Sequence, residues 1–185
     1  MTAIASTNEV TTRGDVGQKL MAVLRISTGF VFLWAFLDKA FGLGYSTGSA
    51  KAWINGGSPT KGFLSNVEVG PFQGMFHSMA GAWWANLLFM VGLAAVGTAV
   101  ILGMGMWISA VSGSIIMFMM WLAEWPMATV TSAGEPSGSS NPFMDYHIIY
   151  GIILFVLAIY KNGETWGLGK FWAGLPVVRD NAWLR

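Results

Sequence analysis

This chain contains no cysteine, so any redox or proton chemistry within it must rest on other groups. Thiolate-ligated iron–sulfur clusters, haem attached through Cys-x-x-Cys-His, and disulfides are excluded. The groups left to move protons near neutral pH are His77 and His147, with carboxylates that include Asp38, Glu124 and Asp145. Burial and neighbouring charges can bring such groups toward neutrality. Trp34, Trp83, Trp84, Trp121 and Trp125 lie near them along the chain. An aromatic-walled pocket of this kind, opening into lipid, suits the flat ring of menaquinone or ubiquinone. His77, His147, Asp145 and Glu124 would then handle protons, while Trp34, Asp38, Lys39, Trp84 and Trp121 surround the ring.

The elements that must position these groups are apolar. Hydrophobic residues make up 54% of the 185-residue chain and charged residues only 10%, against about 25% charged in a typical soluble domain. A net charge of +1 offers no basic stripe for nucleic acid. Apolar runs over residues 20–41, 80–102, 106–125 and 143–160 predict four membrane helices of about 18–22 residues each. The expected fold is therefore an all-α membrane protein, an antiparallel four-helix transmembrane bundle in a lipid bilayer. Residues 1–19 read as a short, polar, disordered tail with no signal peptide. Two polar connections, 42–78 and 126–141, join the helices; the first is long enough to expect local structure. Residues 161–185 interleave aromatic and basic side chains, as a segment lying on the membrane surface would.

Lys and Arg set the expected orientation. Arg13, Lys19, Lys161, Lys170, Arg179 and Arg185 share one side with the tight Gly103-Met104-Gly105 turn, so both termini are expected in the cytoplasm of a multi-pass cell-membrane protein. On that topology Asp38 and Lys39 end the first helix, His77 begins the second, Glu124 closes the third, and Asp145 and His147 open the fourth. All reach the outer rim, where each singly would also fit an ordinary interfacial belt. Arg25, near the cytoplasmic end, is either a snorkelling anchor or an inward charge holding a carboxylate or polar group inside the bundle, which makes it a further cofactor-binding candidate. Gly92, Gly97, Ser109 and Gly113 would allow close helix contacts. No metal site is expected: Asp145 and His147, two apart, do not share a helical face, and no histidines stand four apart.

Residues 24–30 (Leu-Arg-Ile-Ser-Thr-Gly-Phe), continuing to Phe36-Leu37-Asp38-Lys39, resemble the opening helix of the DoxX/DoxD-like membrane proteins. Residues 51–59 and 141–147 resemble the actinobacterial branch of that family, labelled as the large subunit of a quinone-dependent thiosulfate dehydrogenase. The resemblance runs from about Lys19 to Leu175. It implies a four-helix membrane fold, oxidation of thiosulfate to tetrathionate with reduction of membrane quinone, and a second subunit. The alternative is a non-catalytic accessory subunit docked onto a larger membrane complex. A small transporter fits less well, because the helices lack mid-span prolines and midplane charges.

Overall fold

The computed structural model describes residues 2–184, with side chains from residue 14 onward apart from residue 182. Arg185 and the Arg13 side chain, both used above for orientation, lie outside that description. The described chain is helical and forms no named strand; its β pairing is limited to two isolated bridges. The four long elements are α1 (Thr2–Phe41), α4 (Trp83–Leu102), α5 (Met106–Glu124) and α6 (Tyr146–Ile159). Between α1 and α4 come α2 (Lys61–Ser65) and α3 (Gln73–Met79), preceded by 3-10 turns at Ser49–Lys51 and Trp53–Asn55. The expectation of local structure in this connection is met. Two short helices, α7 (Gly169–Gly174) and α8 (Pro176–Arg179), follow α6.

Among the described residues three helices are long and apolar enough to cross a membrane: Gly14–Phe41 within α1, α4 and α5. Large apolar side chains lie exposed along α4 and α5, among them Leu88, Val91, Ile115 and Phe118, as a bilayer would favour. The fourth apolar helix, α6, has 14 residues, about 21 Å at 1.5 Å per residue. It is shorter than the run 143–160 predicted. The Asn141 side chain accepts hydrogen bonds from the Phe143 and Met144 amides, which makes 141–144 a turn. At the other end Lys161 adopts φ +49°, and the helix stops.

The N-terminal stretch read as a disordered tail is helical from Thr2. No proline interrupts residues 2–19. Extending an existing helix costs far less than nucleating one, so the membrane-span helix continues outward. A Lys19–Asp15 ion pair of 2.6 Å, one turn apart, accompanies that extension.

α1 packs on α4 and α6, and α5 packs on α4 and α6. Phe32, Leu93, Val96, Val100, Ala110, Met117, Leu154 and Leu157 form the shared core. Glycine makes the closest approaches: a methyl at Gly97 would sit 2.5 Å from the Leu33 backbone nitrogen, and one at Gly113 only 2.6 Å from Leu154. Gly103 and Gly105, at φ +71° and +56°, turn the chain from α4 into α5. A second small core of Leu64, Val67, Phe76 and Ala123 holds α2 and α3 against the end of α5.

Candidate functional site

The end of α5 and the start of α6 bring three of the four predicted proton-handling residues together. Asp145 is the N-cap of α6, and one carboxylate oxygen accepts from the backbone amides of His147 (3.1 Å) and Ile148 (3.2 Å). Its other oxygen lies 2.8 Å from His147 Nδ1. Glu124, the last residue of α5, accepts from the Tyr146 hydroxyl at 3.1 Å and turns its second oxygen toward His147 Nδ1 at 3.9 Å. Each acid thus has one oxygen anchored and one facing the imidazole. Exposure is graded inward: the side chains of Glu124, Asp145 and His147 are 39%, 16% and 0% accessible. On the buried side His147 Nε2 has no hydrogen-bond partner among the described residues.

The geometric reason for discounting metal therefore does not hold. Asp145 caps the helix instead of lying in it, so its carboxylate folds back over the ring two residues on. Glu124, Asp145 and His147 bring one ligand atom each within 4.8 Å of one another. A metal-bound imidazole normally donates its far N–H to a fixed acceptor, and here His147 Nε2 has none. The same arrangement can also share a proton among two carboxylates and an imidazole.

Two pockets adjoin this region. One, about 570 Å³, is lined by Glu68, Glu124 and Asp145 with Trp125 and Tyr146, and by no Lys or Arg. The other, about 920 Å³, is lined by Lys39, Lys51 and Lys61 and by no acid; its inner wall is Leu88, Phe89, Ile115, Ile116, Met119 and Met120, with Trp84 alongside. Both touch Gly62 and Phe63 of α2, so they are neighbours on either side of that short helix. Charge is divided between them by sign.

The large pocket depends on an anchor that sequence reading missed. Asn86 is buried in α4, and its carbonyl oxygen accepts from Ser58 Oγ (3.1 Å), Thr60 N (3.0 Å) and Thr60 Oγ1 (2.8 Å). This ties residues 58–60, and hence Lys61, to the membrane helix. The available signal was one amide in a twenty-residue run whose one other uncharged hydroxyl or amide is Thr98.

The remaining predicted residues serve elsewhere. His77 lies in α3 instead of opening the second long helix; it is exposed, and its Nε2 is 2.9 Å from the Val67 carbonyl, pinning the connection. Asp38 is buried, but its oxygens are occupied by the Tyr45 and Ser46 amides and the Ser46 hydroxyl, so it fastens the loop after α1. Trp34 packs edge-on against Tyr45 with centroids 5.1 Å apart. Trp121 is buried between Phe118 and Trp125, and its indole N–H has no partner. Of the predicted ring-binding residues, Lys39 and Trp84 line the large pocket and these others do not.

Arg25 is no snorkelling anchor. It is fully buried, and its guanidinium donates to the carbonyls of Val100, Ile101, Thr165 and Trp166 at 2.6–3.1 Å. It closes the last turn of α4 and clasps the segment after α6. The alternative of an inward charge holding polar groups is the one realised, with protein backbone as the partner.

No family model, curated protein or solved structure matches this chain.

Proposed function

We propose that this chain is a membrane subunit of a quinone-linked oxidoreductase that oxidises thiosulfate. In this reading α1, α4, α5 and α6 are an antiparallel transmembrane bundle with both termini cytoplasmic, the turn after Asn141 completing the fourth crossing. The observation that carries the reading is the pair of neighbouring pockets. The larger has an apolar wall and enough room for a quinone ring beside Trp84 and Lys39. Across Gly62 and Phe63 lies the acid-lined pocket, with His147 behind its carboxylates.

Quinone, when bound, accepts two electrons and two protons. Two thiosulfate dianions joined by a new S–S bond as tetrathionate release those two electrons, so the balance needs two protons from the protein side. Glu124, partly open to the polar pocket, takes them up; Asp145 orients the imidazole; His147 passes a proton on toward the buried side. The choice of thiosulfate rests on the resemblance of residues 24–39, 51–59 and 141–147 to DoxX/DoxD-like proteins. The absence of cysteine fits a donor oxidised without an enzyme thiol.

The test is thiosulfate-dependent bleaching of a short-chain quinone by the protein purified with whatever subunit accompanies it. His147→Gln is expected to lower kcat about 100-fold, as loss of a proton-transfer group does. The thermal midpoint should change little, since Gln retains polarity and much of the volume. Absence of turnover with both a benzoquinone and a naphthoquinone would overturn the reading, as would full activity in the variant.

A further inference from the structure

The three lysines of the large pocket come from three separate elements: the end of α1 (Lys39), the first 3-10 turn (Lys51) and the start of α2 (Lys61). Folding brings them around one cavity whose lining contains no Asp or Glu. Among the described residues none of the three makes an ion pair; Lys39 Nζ has only the Ser46 hydroxyl, at 3.5 Å. Asp38, its chain neighbour, has its oxygens taken by Tyr45 and Ser46. Three cations around a cavity with no acid in its lining give it a positive field, which favours an anion. The anchor through Asn86 fixes the backbone at Thr60, from which Lys61 springs.

The rest of the cavity identifies the other half of the ligand. Its inner wall includes Leu88 and Ile115, which are 67% and 58% exposed on the apolar surfaces of α4 and α5. The cavity is thus continuous with the surface that faces lipid, with cations at the other side. A free inorganic anion would leave that wall uncovered, and a neutral lipid would leave the ammonium groups unmatched.

We infer that this pocket binds an anionic phospholipid, with the phosphate among Lys39, Lys51 and Lys61 and an acyl chain along Leu88, Phe89, Ile115 and Ile116. The inference shares its pocket with the quinone reading but not its redox chemistry. An acyl chain and a quinone ring would use the same wall, so the lipid and quinone exclude one another there.

The experiment is native mass spectrometry of the full chain in detergent, titrated with phosphatidylglycerol or phosphatidylcholine of identical chains. Phosphatidylglycerol should be retained one per chain and bind on the order of tenfold more tightly. Each lysine neutralised should cost about twofold, its share of that tenfold preference and less than one basic residue is worth at an anionic lipid surface. Lys39→Gln/Lys51→Gln/Lys61→Gln should erase the preference; Lys51→Gln/Lys61→Gln, at exposed positions, reports alone if the triple variant does not fold. Millimolar inorganic phosphate should not displace the lipid. Equal retention of the two lipids, or of phosphatidylglycerol by wild type and variants, would overturn the inference. Displacement by phosphate would do so too, by showing an anion site without a lipid site. None of these outcomes depends on turnover, so failure here and failure of the redox reading are separable.

Discussion

Arg25 and Asp145 show how far a side chain's role depends on what its backbone does. Asp145 and His147 looked incompatible because two residues on a helix point apart; the cap places Asp145 just outside the helix, and the pair closes to 2.8 Å. Sequence identified both residues but not the geometry that joins them. Arg25 was legible as a charge out of place, while its four carbonyl partners, about 75 and 140 residues away, were not. Replacing Arg25 by Met would leave those carbonyls without their donor and should cost on the order of 3 kcal/mol or more. Arg25→Lys should rescue little, because one ammonium cannot reproduce the planar fork. The thermal midpoint in detergent, followed by tryptophan fluorescence, measures both; an unchanged midpoint for Arg25→Met would return Arg25 to the role of a headgroup anchor.

Among the elements, the apolar runs were readable because lipid leaves little choice: twenty apolar residues without a break must pair their backbone internally. The ends were harder. Polar residues 2–19 gave no sign that the helix would continue through them, and the Asn141 turn shortened α6 from a run whose hydrophobicity alone suggested 143–160. The glycines chosen for close packing can be told apart by what surrounds them. Gly97 faces the Leu33 backbone, which cannot yield, so Gly97→Ala should force α1 from α4 and cost about 1–3 kcal/mol. Gly92 meets chiefly the tip of Ile116, which can rotate, so Gly92→Ala should cost clearly less. Denaturation of both variants under one set of conditions decides this. Equal losses would mean that the α1–α4 contact is looser than the structure has it.

Over the full chain, the expected single rim of acids, histidines and tryptophans became two pockets sorted by charge. That sorting was not legible, because it arises from long-range packing. Asn86 draws residues 58–60 onto α4, and the Leu64–Phe76 core seats α2 and α3 on the end of α5. His77 fell out of the site for the same reason, once the connection formed its own helix. What was legible was that Asp38, Glu124, Asp145 and His147 lie where apolar helices begin or end. The most direct measurement is photolabelling of the purified protein with an azidoquinone, followed by peptide mapping. Label should fall on residues 84–89 or 115–120 and diminish when excess unmodified quinone competes. Saturable label confined to the Arg25 end, or label that competition does not reduce, would contradict a quinone site in this pocket.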